Sequence, residues 1–284
     1  MYNEISYAFK KAFKEGRPAL LSYTVAGDDT KRNSLEILKT LSLQVDICEL
    51  GFAHNTPIAD GGAIQDSSNR AIKNGIKIND VFKIVEDFKK TKNSKPIILM
   101  GYYNMIYQYG ESKFLNSCKK SGVNGLIVVD LPWPENKSFS KKCKIKKINF
   151  VQLISPTTTI KRLKNIIKDS HGMLYYISML STTGGKLKLS PKTILKNYKK
   201  VKTFCGDKNC IIGFGITTKS IKMFKNTDGV VVGSEICKEI SRSISKRQKI
   251  VTNVDKLVKK LRKQIVWIGL ENLKNSGKIL KEMF

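Results

Sequence analysis

Apolar residues gather in eight short blocks along this chain, at 19–25 (ALLSYTV), 45–50 (VDICEL), 96–100 (PIILM), 125–130 (GLIVVD), 149–154 (NFVQLI), 173–178 (MLYYIS), 210–215 (CIIGFG) and 229–234 (GVVVGS). Several are nearly continuous in hydrophobicity and rich in β-branched residues, the pattern of strands covered on both faces. Between them, segments near 31–42, 62–74, 80–91, 111–120, 136–144, 158–168, 190–202 and 217–225 read as helices. A helix between successive strands is what a right-handed parallel crossover requires. Eight strand–helix units in about 250 residues predict an α/β fold, a single (β/α)8 TIM barrel over residues 1–284. The amphipathic start MYNEISYAFKKAFKEG adds an extra N-terminal helix. Val254, Leu257, Val258 and Leu261 place a C-terminal outer helix in 252–284, with a turn or frayed end at Asn275-Ser276-Gly277. No GxGxxG follows the first strand, which argues against a dinucleotide fold.

Charge changes the picture only after it is placed on the chain. The total of +29 comes from 52 basic and 23 acidic residues. Residues 1–135 hold 18 basic and 15 acidic, a net of +3, and residues 136–284 hold 34 and 8, a net of +26. Only seven of the basic residues are Arg. Base and phosphate readers favour the forked guanidinium, whereas Lys solvates surfaces. The excess therefore reads as solvated outer helices, with no specific nucleic-acid partner. Six Cys without a CxxC pair and only two His give no zinc cluster and no metal site. The Cys read as reduced, buried small hydrophobes, and no run of about 18 apolar residues offers a membrane span. The expected location is cytoplasmic.

In a barrel, chemistry sits where strands end and βα loops begin. Glu49 ends the second strand among Ile47, Cys48 and Leu50, and Asp60 lies on the loop that follows. Two such acids can divide roles, one exchanging a proton while the other stays ionised. The competing reading pairs Glu49 with a base inside the barrel and makes Asp60 a helix cap. Gly184-Gly185, Gly213-Phe214-Gly215 and Gly233-Ser234 follow strands six, seven and eight, where barrels bind phosphate. Tyr23, Leu99, Met100, Tyr102, Leu126, Ile127, Val129, Phe150, Leu153, Tyr175 and Phe214 are candidates to line an apolar mouth for a flat aromatic group. The polar, Gly-ended segment 180–185 suits a lid. His54 reads as a packing ring, and His171 belongs to the stability face.

These residues, in this order, resemble the alpha subunits of tryptophan synthase over nearly the whole chain. The most specific match is Glu49-Leu50-Gly51, then Pro57-Ile58-Ala59-Asp60-Gly61 and Ile64-Gln65; Tyr102-Tyr103-Asn104, Val128-Val129-Asp130-Leu131-Pro132, Gly213-Phe214-Gly215-Ile216 and Gly233-Ser234 add to it. The resemblance implies retro-aldol cleavage of indole-3-glycerol phosphate to indole and glyceraldehyde 3-phosphate. It makes Glu49 the general acid/base and Asp60 the anion facing the indole N–H. It gives Tyr23, Tyr102, Tyr175, Thr183 and Phe214 substrate contacts, with Thr183 on the closing loop helping to order Asp60. Gly184, Gly213, Gly215, Gly233 and Ser234 would hold the phosphate. It also implies an αββα complex in which the beta subunit carries pyridoxal phosphate and receives the indole, with no cofactor in this chain. Three departures stand out: Thr56 where an Asp is usual, Gly62 for a common Pro, and Met179-Leu180-Ser181-Thr182 for Arg-x-Gly-Val. They keep open an alternative, a catalytically weakened subunit acting mainly as activator of its partner.

Overall fold

The apolar blocks form strands that pair side by side in one parallel sheet. The computed structural model describes residues 4–178, 189–213 and 215–266. The strands are β1 Ala19–Val25, β2 Ile47–Gly51, β3 Ile97–Gly101, β4 Gly125–Val128, β5 Asn149–Phe150, β6 Gln152–Ile154, β7 Leu174–Ile177, β8 Cys210–Gly213 and β9 Gly229–Val232. Their order is β5-β4-β3-β2-β1-β9-β8-β7-β6. The fifth apolar block is split at Val151: β5 pairs with β4, β6 pairs with β7, and the Val151 amide still donates to Leu126 O at 2.9 Å. Nine strand segments thus make an eight-strand, nearly closed barrel.

Helices α1 Glu4–Lys14, α2 Lys31–Ser42, α3 Gly62–Lys73, α4 Ile78–Lys89, α5 Tyr103–Tyr109, α6 Glu111–Ser121, α7 Lys137–Ile145, α8 Ile160–Asp169, α9 Pro191–Cys205, α10 Ser234–Ser245 and α11 Ile250–Ile265 surround it. Two differ from expectation by being extra, α5 and the full length of α10, which is the eighth unit's own helix and precedes α11. The helix expected at 217–225 is instead a short 3-10 turn, Ile221–Phe224. Here the Thr217 amide donates to Ser220 Oγ (3.0 Å), the Thr218 amide to Glu235 Oε2 (2.7 Å) and the Ser220 amide to Thr217 Oγ1 (3.3 Å). Such side-chain acceptors compete with helical hydrogen bonds.

Strand alternation sorts the core into two layers. Tyr23, Ile47, Ile98, Met100, Ile127, Val151, Tyr175, Ile211 and Val231 fill the barrel interior, together with Ile5, Ala8, Phe9 and Ala12 of α1. Leu20, Cys48, Leu50, Leu99, Leu126, Phe150, Tyr176 and Ile212 pack instead with the outer helices. Leu99, Leu126 and Phe150 are therefore not mouth residues: each sits one position out of phase with an interior neighbour. At the opposite end of β2 from the site, Asp46 accepts Arg17 Nη1 (2.6 Å), Arg17 Nη2 (2.8 Å), the Leu20 amide (2.8 Å) and Arg262 Nη1 (3.1 Å). This buried cluster ties β1, β2 and α11 together. The lysines of α8 and α9, among them Lys161, Lys164, Lys192, Lys196, Lys199 and Lys200, are exposed, as the placement of charge predicted.

Candidate active site

Glu49 shares its strand face with Ile47, two residues earlier, so the pleat that buries Ile47 turns the carboxylate into the barrel. It is only 1% exposed, and neither carboxylate oxygen meets a hydrogen-bond partner among the described residues. Among the described residues no basic side chain pairs with it, and the reading of Glu49 as half of an internal ion pair finds no support there. Burial pushes its pKa up to about 8, because the charged form loses its water. A carboxyl group protonated at neutral pH and facing a cavity can act as a general acid.

Asp60 is held by the loop between β2 and α3. It is buried, and its pKa is raised to about 6: burial raises it, and the hydroxyl of Tyr102 partly offsets this by donating to Oδ2 at 3.2 Å. Oδ1 has no partner among the described residues. The same Tyr102 oxygen accepts the Ala59 amide at 3.0 Å, so one phenol fixes both the loop and its carboxylate. Asp60 does not cap α3; the N-cap is Gly61, which has no side-chain cap bond. Near neutral pH, then, Asp60 is mainly ionised and Glu49 mainly protonated, the divided arrangement that acid/base work needs.

Two clefts meet at this end of the barrel. Tyr23, Glu49, Ile64, Met100, Tyr175, Gly215, Ile216, Val231, Gly233 and Ser234 line a space of about 380 Å3. A neighbouring space of about 240 Å3 is lined by Tyr23, Phe52, His54, Asp60, Ser68, Met100, Gly101, Tyr102 and Val129. Tyr23 and Met100 belong to both, so Glu49 and Asp60 line adjoining spaces that share this wall. Ser234 opens α10, a 12-residue helix whose N-terminal amides and dipole favour an anion. Gly215, Gly233 and Ser234 are thus brought to the cleft. Gly213 sits against Tyr175, whose ring a Cβ there would overlap, so its glycine identity serves this packing. Thr183, Gly184, Phe214 and the 179–182 segment lie outside the described residues.

His54 stacks on Tyr102 at 4.8 Å between ring centroids, and its Nδ1 accepts the Thr56 amide at 3.0 Å, consistent with a packing ring. His171 lies by the start of the fifth strand, its Nε2 3.4 Å from the Phe150 amide. Sequence reasoning missed the wall residues Ser68, Ile64, Ile216 and Val231. Of these, Ile64 and Ile216 stood inside quoted motifs without an assigned role. Among the described residues no group of three or more His, Cys, Asp and Glu gathers as metal ligands, and no helix is long and apolar enough to cross a membrane.

Removing the Tyr102 hydroxyl tests the coupling directly. Tyr102→Phe is expected to lower kcat/KM about tenfold, the worth of one hydrogen bond to a charged group. It should also move the acid limb of the pH profile upward, since the bond holds the Asp60 pKa down. An unchanged limb in a folded variant would break the link between Tyr102 and Asp60.

Comparison with known proteins agrees with this geometry. Residues 9–266 match the family model described as tryptophan synthase alpha chain. The chain is 67% identical over 261 residues to the tryptophan synthase alpha chain of Pelagibacter ubique, covering 92% of this chain and 98% of that one. Among solved structures, tryptophan synthase subunit alpha from Legionella pneumophila superposes with a TM-score of 0.85 at 29% identity, covering 93% of this chain and 99% of that one. The tryptophan synthase A-subunit of Pyrococcus furiosus gives 0.76 at 35% identity, covering 86% and 98%.

Proposed function

Because the chain belongs to the tryptophan synthase alpha chain family, whose reaction is the cleavage of indole-3-glycerol phosphate to indole and glyceraldehyde 3-phosphate, we propose that Glu49 and Asp60 carry that reaction here. The enzyme is a carbon–carbon lyase. In the proposed site, the indole lies between Tyr23, Met100 and Tyr175, and its N–H faces Asp60. Protonated Glu49 gives its proton to indole C3, which places positive charge on the ring. Ionised Asp60 stabilises that charge. The bond from C3 to the glycerol carbon then breaks, and its electron pair restores the aromatic ring. The hydroxyl on the leaving carbon becomes the aldehyde carbonyl as its proton returns to Glu49. One carboxyl group thus serves as acid and then as base, and free indole and glyceraldehyde 3-phosphate balance the equation.

The observation that carries this reading is Glu49 itself: buried, without a hydrogen-bond partner among the described residues, its pKa raised to about 8, and lining the same cleft as Ser234 at the head of α10. We assign the substrate phosphate to Gly215, Gly233 and Ser234, with Gly184 and Gly213 of the same cradle retained as expectations. Thr183 and Phe214 remain proposed substrate contacts. The intact pairing of Tyr102 with Asp60 favours an active lyase over a chain that mainly activates its partner, despite Thr56 and Gly62.

We further propose that the indole passes to a beta subunit in an αββα assembly, where pyridoxal phosphate belongs to the partner. Ile58, an apolar residue 65% exposed on the loop between β2 and α3, supports a partner surface beside the site. Six free, buried cysteines support a reducing, cytoplasmic setting. The phosphate assignment is tested by comparing indole release from indole-3-glycerol phosphate with release from indole-3-glycerol. The unphosphorylated compound is expected to lose about a hundredfold or more in kcat/KM, as two charged hydrogen bonds disappear. Equal kcat/KM for the two would refute the cradle.

A further inference from the structure

Asp60 reaches α3 through Gly61 and Gly62, and a Cβ at either glycine would meet nothing within 4 Å. Side-chain packing therefore does not hold this link; the Gly61 carbonyl is engaged by the Ile64 and Gln65 amides (2.8 and 3.1 Å), and neither glycine has a Cβ to restrict its backbone. The helix beyond it is gripped at several points. Gln65 Nε2 reaches back to donate to the Asp60 carbonyl oxygen at 2.9 Å. Arg70 donates from Nε to Asp28 Oδ1 (2.7 Å), and from Nη2 to Asp28 Oδ2 (3.1 Å) and Ser67 Oγ (3.0 Å). Asp28, 1% exposed, lies on the loop after β1, at the catalytic end. Beside it, Asn74 donates to the Asp29 carbonyl, and Gly27 (φ +78°) lets Ile76 approach so closely that a Cβ would lie 2.7 Å from its Cδ1. On its other side α3 packs on α10.

We propose that Arg70, through its forked bond to Asp28 and with Gln65 holding the loop, is a positioning residue for Asp60: it fixes α3 to the loop after β1, so that the carboxylate, held on its other side by Tyr102, keeps its place across the exposed diglycine link. The inference rests on the role given to Asp60 above. A buried ion pair far from chemistry serves stability alone; this one is attached to the helix that begins two residues after the carboxylate. Loss of the fork lets α3 shift, and a misplacement of about 1 Å costs roughly a hundredfold in rate. Lys keeps the charge and cannot make the bidentate contact.

The test uses the full chain, Arg70→Lys and Arg70→Met, each assayed for indole release well below its thermal midpoint, with circular dichroism establishing that it is folded. Expected are kcat losses of about tenfold for Lys and about a hundredfold for Met, KM within about threefold, and a moved acid limb of the pH profile with the alkaline limb in place. Gln65→Ala is expected to give a smaller loss of the same kind. A role in stability alone would lower the thermal midpoint and leave kcat and both limbs unchanged, which overturns the proposal. Asp60→Asn is run in parallel. If it loses activity while the Arg70 variants keep full kcat, positioning falls and the site reading stands. If it keeps full kcat, the site reading itself falls.

Discussion

Glu49→Gln is expected to abolish indole release to within about a thousandth of the wild-type rate while making the folded protein more stable at alkaline pH. The first effect follows from removing the buried acid proposed to protonate indole C3, since general acid–base catalysis contributes about 10²–10⁴-fold. Gln fits the same volume and cannot give up a proton. The second effect follows from the raised pKa. Below about 4.5, the ordinary value, Glu49 is protonated in both folded and unfolded chains, and the full stability is present. As pH rises toward about 8 the unfolded chain ionises freely while the folded one resists, so stability is lost through that window and stays low above it. The cost is on the order of 5 kcal/mol at pH 9. Gln is neutral at every pH and escapes this cost, whereas Asp60 contributes equally to both proteins and cancels in the comparison. Denaturant titrations of the two proteins at pH 5 and pH 9 check it. Curves that differ by the same amount at both pH values would show that Glu49 is not desolvated as described.

The barrel and its two acids were legible in the sequence for a physical reason. Strands buried on both faces write themselves as apolar runs, and a lone Glu in such a run has no solvent to turn to. The same continuity hid which residues face inward: in PIILM and GLIVV nothing alternates, so Leu99 and Leu126 read as well for the mouth as Met100 and Ile127. Counting in twos from Glu49 settles the phase only within its own strand. The helix α5 was missed because Tyr103, Tyr107 and Tyr109 favour strands, and its short length carries little periodicity. Two further roles depend on contacts far apart in sequence. Tyr102 holds Asp60 across 42 positions, and Arg70 holds Asp28 across 42. Gly213 read as an anion-binding glycine, and the contact with Tyr175, whose ring a Cβ there would overlap, is a second demand on the same position that one sequence does not display.

Asp60→Asn should cost about a hundredfold or more in kcat, and it should change the shape of the pH profile as well as its height. In the wild type, kcat/KM is expected to be bell-shaped, rising as Asp60 ionises near 6 and falling as Glu49 ionises near 8. The active species has Asp60 charged and Glu49 protonated, so activity is greatest between the two values. Asn places a neutral dipole where, in the proposed site, a full negative charge faces the protonated indole, and removing one preorganised electrostatic partner typically costs about 10²–10³-fold. Its residual activity should therefore lose the acid limb and keep the alkaline one. Tyr102 sharpens the expectation: in Asp60→Asn its hydroxyl still has an oxygen to donate to, so the loop stays in place and the loss reports charge. Substituting Tyr102 in the Asp60→Asn background should then add far less than the tenfold it costs alone, because the two act as one unit. Full additivity of the two losses would mean that Tyr102 serves the reaction by some route other than Asp60.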